Sequence, residues 1–306
     1  MMRNALVALL LLPALAAAAA PGSTAREPID DRKVFAELDR KVGKLASEGK
    51  APLTAKVRLE QGARRSTSLP RLHAPSVQPL ARETLRARAA ASTVVVGTAF
   101  KCDKCPNWHS SMASGVVIDP SGIIATNHHV ACADKGEAMG VMLADGSILP
   151  VVEVLASARG QDVALVRVDT GGRVLPALPV RGDLAAGADI ACYSNPDGTY
   201  GFFSQGIVSR YARSMNPADR GAVWMEVTCD YAKGSSGAPI LDLCGNVVGL
   251  VSSTRSIYYN TDKDGDQQNF QMVRRNCVPG AAILDLIKPG TAAPASPTAP
   301  AAPAAK

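Results

Sequence analysis

From about residue 92 onwards, the hydrophobic positions come in short runs rich in β-branched side chains. Turn sequences such as DPSG, ADG and NPDG separate runs such as STVVVGTAF, SGVVI, DVALVRV and NVVGLVSS. Short β-rich runs without long helices between them predict an all-β barrel or sandwich. The region, about 190 residues long, has room for two small barrels with a seam near 172–186. A last apolar run, GAAILDLI at 280–287, predicts a short C-terminal helix.

Before residue 92 the hydrophobic spacing is helical instead. Residues 31–49, DRKVFAELDRKVGKLASEG, carry one apolar stripe formed by Val34, Phe35, Leu38, Val42 and Leu45. Asp30 or Asp31 can cap this helix, and Gly49 can end it. Residues 50–78 are rich in Pro, Ser and Arg, which predicts a linker, and a second short helix is predicted over 79–91.

The two ends of the chain differ in composition from the rest. Residues 1–20 have one positive charge, an apolar run and then small alanines, which is the layout of a secretory signal peptide. Residues 289–306 are Pro/Ala low complexity and predict a disordered tail. The expected organisation is therefore a signal peptide, a basic helical and linker extension over 21–91, a β domain over 92–288 and the tail. We expect no stable membrane insertion once the signal is cleaved.

The net charge of +6 belongs to the extension and not to the β domain. Residues 22–92 carry a net charge of +7, whereas the residues after 92 carry −2. The extension lacks the interleaved aromatic side chains that nucleic-acid binding would favour. A solvated helical face explains its charge better, so we predict no nucleic-acid partner.

The odd number of cysteines leaves at least one thiol without a partner inside the chain. The chain has seven: Cys102, Cys105, Cys132, Cys192, Cys229, Cys244 and Cys277. The sequence KCDKCPNWH places Cys102, Cys105 and His109 as half a zinc site or as a redox pair. Cys132 is a conceivable fourth ligand, but export permits disulfides. We favour a structural loop with a disulfide inside it or to Cys132, and we predict no cofactor.

Three segments carry candidate chemistry. They are SGVVIDPSGIIATNHHVAC, in which a hairpin ends on two histidines; SARGQDVALVRVD, in which an aspartate precedes a strand; and CDYAKGSSGAPI, a glycine-flanked serine loop. In this order they resemble the trypsin-like serine peptidases, in the style of the bacterial Deg/HtrA proteins, whose signature reads SG-x-(V/I)-I, TN-x-HV, D-(L/V)-A-(L/V) and G-x-SG-x-P. The resemblance covers residues 92–288.

The resemblance implies a fold of two six-stranded antiparallel β-barrels and a catalytic triad. His129 would be the general base, Asp162 would orient its imidazole, and Ser236 would be the nucleophile. The spacings of 33 and 74 residues place the first two in one barrel and the serine in the other, with the site in the cleft between them. Backbone N–H groups of Gly234 and Ser236 would form the oxyanion hole.

The sequence contains two adjacent histidines and two adjacent serines in these motifs. Alignment with the family motif selects the second residue of each pair. His128 occupies the variable position before His129, and neighbouring side chains on an extended segment diverge. The same register makes Ser236 the nucleophile and Ser235 its neighbour. Ala238 replaces a glycine that the family usually has at this position.

The specificity pocket is less clearly indicated. Asp230 lies six residues before the serine, where it would line a pocket that selects Lys or Arg; it could equally be structural, and we favour that interpretation. Candidates for the strand that binds the substrate backbone are Val251, Ser252 and Ser253. After residue 288 only the tail remains, so no PDZ domain is expected.

The leading hypothesis is an exported serine endopeptidase of the periplasm or the extracellular space, acting on proteins or peptides. One alternative is a trypsin-like fold that serves as a binding or scaffold module with little turnover. A second alternative is a redox or metal protein built on the CxxC sequence, in which the triad is vestigial. The complete set of three motifs favours the enzyme.

Overall fold

A computed structural model provides the structure of the chain. It describes residues 28–49, 53–69, 72–102, 104–219 and 221–289. The predicted signal peptide at 1–20, and the predicted tail beyond its first residue, lie outside the described residues. Among the helices that are described, none is long and apolar enough to cross a membrane.

The first half of the β region forms a closed antiparallel barrel of six strands. In chain order these are β2 (Thr93–Lys101), β3 (Trp108–Asp119), β4 (Ile123–Thr126), β5 (Ala138–Met142), β6 (Ile148–Ala158) and β7 (Val163–Val168). The spatial order is β2-β3-β4-β7-β6-β5, and β5 pairs with β2 to close the barrel. Closure leaves no free sheet edge.

The second half forms another closed antiparallel barrel of six strands. These are β8 (Asp189–Ser194), β9 (Phe202–Arg213), β10 (Val223–Val227), β11 (Pro239–Asp242), β12 (Val247–Thr261) and β13 (Gln267–Pro279). Their order is β10-β13-β12-β11-β8-β9, closed by pairing of β9 with β10. The predicted all-β architecture of two six-stranded barrels is thus confirmed.

Both barrels contribute to one shared hydrophobic core. Val116 and Leu165 of the first barrel and Leu241 and Leu250 of the second are all completely buried in the same cluster. Close packing of side chains from both barrels fixes their relative position. The cleft between them is therefore a rigid place for a site that takes groups from each barrel.

Five α-helices accompany the barrels within the described residues. They are α1 (Asp31–Ser47), α2 (Ala55–Gln61), α3 (Arg82–Ser92), α4 (His128–Ala131) and α5 (Gly280–Leu284). The predicted stripe of α1 is partly right, because Leu38 and Val42 are fully buried against the first barrel. Phe35, which was assigned to the same stripe, is 44% exposed. Leu85 of α3 and Ile283 of α5 enter the shared core.

The linker interpretation of residues 50–78 needs correction. This stretch contains α2 and a strand, β1 (Thr67–Leu69), which pairs in parallel with β14 (Ile287–Pro289) near the end of the described chain. A helix of seven residues is too short to show a periodic apolar stripe. Its anchor is also a charged side chain, Arg58, a residue type that sequence patterns assign to the surface.

Arg58 is completely buried and holds the loop that follows α4. Its guanidinium donates hydrogen bonds to the carbonyl oxygens of Leu53 at 2.6 Å, Ala133 at 3.2 Å and Lys135 at 2.5 Å. Burial lowers the pKa of this guanidinium. A buried charge is tolerated only where hydrogen bonds satisfy it, so α2 is an integral part of the first barrel's packing.

Candidate active site

His129 and Asp162 lie side by side because their strands are neighbours. His129 is in α4, directly after β4, and Asp162 directly precedes β7, which pairs with β4. Asn127, the residue that begins α4, donates its side-chain N–H to the carbonyl oxygen of Asp162 at 2.9 Å. This hydrogen bond holds the end of β4 next to the start of β7, in addition to the backbone hydrogen bonds between the two strands.

The carboxylate of Asp162 accepts hydrogen bonds from three groups. Nδ1 of His129 lies 2.9 Å from both carboxylate oxygens, and the backbone N–H of His129 donates at 3.1 Å. The hydroxyl of Ser252 donates at 2.6 Å. This carboxylate keeps the imidazole proton on Nδ1, so that Nε2 is left as the acceptor. Asp162 has a φ of 52°, a left-handed conformation that aspartate tolerates better than most residues.

The serine loop between β10 and β11 is held by its backbone. The N–H of Ser114 in β3 donates to the carbonyl oxygen of Ser236 at 2.7 Å, and the N–H of Gly237 donates to Val251 at 2.8 Å. Gly237 has a φ of +84°, and a Cβ there would stand 2.1 Å from the carbonyl oxygen of Ser114. Only glycine permits this approach between the two barrels.

The two serines of this loop are placed differently. Ser235 is completely buried, and its hydroxyl has no hydrogen-bond partner within the described residues. Ser236 is half-buried, and its hydroxyl donates to the carbonyl oxygen of Ser252 at 3.4 Å. Ser236 is therefore the serine that an incoming molecule can reach.

Among the backbone N–H groups of the loop, those of Gly234 and Ser236, on either side of Ser235, donate to no acceptor in the described part of the chain. The carbonyl oxygen of Lys233 accepts from the N–H of Asp197 at 2.6 Å. In a trans peptide the carbonyl and the next N–H point in opposite directions, so this bond turns the N–H of Gly234 away from Asp197. Both N–H groups are available to an external acceptor.

His128 lies apart from this arrangement. Its Nδ1 is 3.0 Å from the hydroxyl of Ser157, and burial lowers its pKa, an effect that Asp162 partly offsets. The predicted extended segment is wrong, since both histidines stand in the first turn of α4. Successive helical residues are about 100° apart, so the two rings still diverge.

The residues predicted to bind substrate differ in whether their polar groups are already bonded within the protein. Val251 is buried, and its N–H and carbonyl are both bonded to the serine loop. Ser252 lies at a bulge between β12 and β13, which directs its hydroxyl to Asp162. Ser253 is exposed. The side chain of Asp230 is 69% exposed and forms an ion pair with Arg275 at 2.6 Å.

All seven cysteines carry free thiols, so the predicted disulfide is not formed. Cys132 is buried, 3.7 Å from the carbonyl oxygen of Arg58 and 3.9 Å from the hydroxyl of Ser157. Cys102, Cys105 and His109 do come together, with their ligand atoms within 4.8 Å of one another. Cys132 does not belong to that group.

Two polar residues that support the serine loop were not identified from the sequence. Buried Asn195 donates its side-chain N–H to the hydroxyl of Ser114 at 3.1 Å, and that hydroxyl donates to the carbonyl of Gly234 at 3.3 Å. Ser114 belongs to the first motif, but no role was assigned to it. A fully buried serine in an apolar strand is a signal, because buried polar groups need partners.

Comparison with known proteins finds similar sequences and a similar fold. The profile of the trypsin-like peptidase domain matches residues 113–250. A "probable periplasmic serine endoprotease DegP-like" of Pseudomonas fluorescens (strain Pf-5) is 37% identical over 150 residues, which cover 48% of this chain and 30% of the relative. A protein of the same description from Brucella suis is 31% identical over 144 residues, 46% of this chain and 27% of the relative. The chain thus spans about a third of the length of these relatives.

A solved structure, "HtrA-type protease AlgW with tripeptide", has the same fold. It superposes with a TM-score of 0.52 at 21% identity and covers 67% of this chain and 62% of that protein. The segments that carry His129, Asp162 and Ser236 all fall within the matched profile. Residues 113–250 therefore belong to a trypsin-like peptidase domain that is similar in sequence to DegP-like serine endoproteases.

Proposed function

We propose that this protein is an exported serine endopeptidase that hydrolyses peptide bonds through His129, Asp162 and Ser236. The observation that carries the proposal is the pairing of His129 Nδ1 with both oxygens of Asp162 at 2.9 Å. With Nδ1 protonated, Nε2 can take the proton of Ser236 as its oxygen attacks the scissile carbonyl. The resulting imidazolium, stabilised by Asp162, then protonates the leaving amine, and water hydrolyses the acyl-enzyme.

The oxyanion of the tetrahedral intermediate would be held by the N–H groups of Gly234 and Ser236. Support comes from their lack of any acceptor in the described residues and from the fixed orientation of the Lys233–Gly234 peptide. Donors that are already oriented cost no reorganisation when the charge develops, and losing one typically costs roughly 3–4 kcal/mol.

The proposed substrates are proteins or peptides. One structural neighbour is an HtrA-type protease with a tripeptide, which supports this substrate class. A substrate backbone would pair along the exposed part of β12 that begins at Ser253, since Val251 has no free backbone group. For Asp230 we propose a structural role, because Arg275 already neutralises its exposed carboxylate.

We propose export to the periplasm or the extracellular space, with residues 1–20 as signal peptide and 21–91 as an extension before a peptidase domain at 92–288 and a tail at 289–306. The periplasmic names of the relatives support this location. The extension would act as part of the peptidase domain, because Arg58 is buried against the loop after α4.

One observation favours the alternative of a binding module with little turnover. The hydroxyl of Ser236 donates to the carbonyl oxygen of Ser252, and a serine in that orientation is not activated by His129. Catalysis requires the hydroxyl to rotate to Nε2. Catalytic hydrogen bonds are often formed only in the substrate complex, so this orientation is compatible with a resting enzyme.

Labelling with a fluorophosphonate separates the two functions. The purified chain, Ser236→Ala and Ser235→Ala are treated with the probe, and the labelled residue is identified by mass spectrometry. We expect labelling of the parent and of Ser235→Ala, with none in Ser236→Ala. A parent protein that stays unlabelled, and that cleaves no denatured protein, would favour the binding module. Labelling lost only in Ser235→Ala would move the nucleophile to the other serine.

A further inference from the structure

The turn between β2 and β3 brings three metal-ligating side chains together, away from the peptidase site. Cys102 and Cys105 lie in the turn, and His109 lies on β3. Their sulfur and nitrogen atoms are all within 4.8 Å of one another, and Sγ of Cys105 is 3.1 Å from Nε2 of His109. Nothing in the proposed peptidase mechanism uses this group.

We propose that Cys102, Cys105 and His109 bind a zinc ion, with a water molecule as the fourth ligand. Zinc binds cysteine sulfur at about 2.3 Å and histidine nitrogen at about 2.0 Å in a tetrahedral arrangement. Ligand atoms around one ion then lie roughly 3.5–4 Å apart. The observed separations require only small side-chain rotations to reach that geometry.

The local fold places the three ligands at one end of the β2–β3 hairpin. His109 pairs with Phe100 across the β2–β3 ladder, and the next pair, Lys101 with Trp108, is the last before the turn. The turn then places the side chains of Cys102 and Cys105 next to that of His109. A preformed ligand set loses less conformational entropy when the ion binds than one on an unstructured loop. All three side chains are half-buried, so an ion and a water can reach them.

The water ligand follows from the composition of the site. Among the described His, Cys, Asp and Glu residues, the group contains only these three members. Cys132, the fourth ligand considered from the sequence, is instead buried beside Arg58. Zinc sites with three protein ligands complete their shell with water or an external ligand.

The site also lies where a metal would strengthen the first barrel. Asp39 of α1 accepts hydrogen bonds from the N–H of Ser110 at 2.5 Å and from its hydroxyl at 2.9 Å. Gly43 of α1 packs so closely on Trp108 that a Cβ would stand 2.9 Å from that residue's Cβ. An ion at the turn would therefore fix the hairpin end on which α1 packs, and we expect it to raise the melting temperature.

Metal content tests the proposal directly. The untagged full chain carrying Ser236→Ala, which prevents self-cleavage, is reduced, incubated with zinc and dialysed, and zinc is measured by plasma mass spectrometry. We expect one zinc per chain, and loss of most of it in Cys102→Ser, Cys105→Ser and His109→Ala. Cys244→Ser, which removes a half-buried thiol elsewhere, should keep the full zinc content. Circular dichroism checks that each variant is folded.

Cobalt provides a second measurement that does not depend on the variants' stability. The protein loaded with Co²⁺ in place of zinc should show thiolate-to-cobalt charge-transfer bands and the intense visible bands of a tetrahedral ion. A protein that retains no zinc after dialysis, or whose zinc content is unchanged in Cys105→Ser, overturns the proposal. A Cys102–Cys105 disulfide in the exported protein, seen as a mass lower by two hydrogens, would replace it with a redox pair.

Discussion

The two barrels hold their halves of the candidate site by different means. The first barrel positions His129 and Asp162 through a side chain, since the carboxylate of Asp162 accepts from the imidazole and from the backbone N–H of His129. The second barrel positions Ser236 through its backbone, with neighbouring glycines at positive φ and carbonyl–amide bonds to Ser114 and Val251. Chemistry therefore depends on side-chain identity in the first barrel and on backbone conformation in the second.

This difference predicts two classes of variant. A substitution that keeps the shape of a side chain in the first barrel should remove activity and leave the fold intact. A substitution that adds a side chain to the serine loop should destabilise the protein and lose activity as a consequence. Measuring activity and unfolding on the same variants separates the two classes.

Asp162→Asn should have the largest effect on activity among the conservative changes. An amide cannot hold the proton on Nδ1 as the carboxylate does, so the imidazole takes the wrong tautomer, and kcat should fall roughly 10⁴-fold. The melting temperature should change little, because the amide fills the same space. Steady-state cleavage of a denatured protein substrate checks the first result, and calorimetry checks the second.

Asp169→Asn is the matched control for that variant. Asp169 follows the opposite end of β7, and its carboxylate accepts from the exposed N–H of Gly171 at 3.0 Å, with no other partner among the described residues. The kcat of Asp169→Asn should stay within about twofold of that of the parent protein. Equal losses in the two variants would mean that Asp162 acts on the fold and not on the imidazole.

Gly237→Ala should have the next largest effect, this time through stability. A methyl group would lie 2.1 Å from the carbonyl oxygen of Ser114 and would require an unfavourable φ, so the loop must move away from β3. We expect the free energy of unfolding to fall by about 3 kcal/mol or more, by analogy with overpacked cores. Urea unfolding measures it, and activity should fall with it.

Gly146→Ala separates the clash from the backbone strain. Gly146 has a φ of +75°, but a Cβ there would meet nothing within 4 Å. It should cost only the strain of a left-handed residue, about 1–2 kcal/mol. If both variants lose the same free energy, the contact with Ser114 contributes nothing to the effect.

The parts of the molecule that could be predicted from the sequence are those with periodic or motif-based signals. The β-rich runs and turn residues predicted an all-β barrel or sandwich, and the resemblance carried by the motifs implied the two six-stranded barrels. The apolar stripe of α1 was wrong only at Phe35, which is 44% exposed. The three motifs predicted which segments meet in the cleft, and the structure places His129 against Asp162.

What could not be predicted depends on contacts between distant segments. Arg58 is buried by carbonyl oxygens from a loop about 75 residues further along the chain, so a basic, Pro-rich stretch looked like a linker. Likewise, Ser252 was proposed to bind substrate, because the bulge that turns its hydroxyl to Asp162 leaves no mark on the sequence. Contacts between residues this far apart in the chain are determined only once the sheets have folded.

Ser252→Ala tests a side chain that links the second barrel directly to Asp162. Its hydroxyl donates to Asp162 at 2.6 Å from the second barrel. A hydrogen bond to a charged group contributes about 1.5–3 kcal/mol, so we expect kcat to fall at least about tenfold, with KM nearly unchanged. Ser256→Ala, which removes an exposed hydroxyl further along β12, should leave both constants unchanged. A change in KM alone would return Ser252 to substrate binding.

His128→Ala should have the smallest effect on activity and gives the sharpest test of register. Its ring contacts the hydroxyl of Ser157 at 3.0 Å and forms no hydrogen bond to Asp162 within the described residues, so its loss should cost about 1 kcal/mol of stability. Burial lowers the pKa of this imidazole, which favours its neutral form. Activity should stay within about twofold of the parent.

His129→Ala is the partner of this last test, since the two residues are adjacent and chemically identical. Removing the base of a serine triad lowers kcat by roughly 10⁶-fold. The two histidines differ only in the direction of their rings from the α4 turn. A large difference in kcat between the two variants must therefore come from the pairing of His129 with Asp162. The reverse result, measured as cleavage rate at pH 7, would show that the base is the histidine bonded to Ser157 and that the motif is misaligned by one residue.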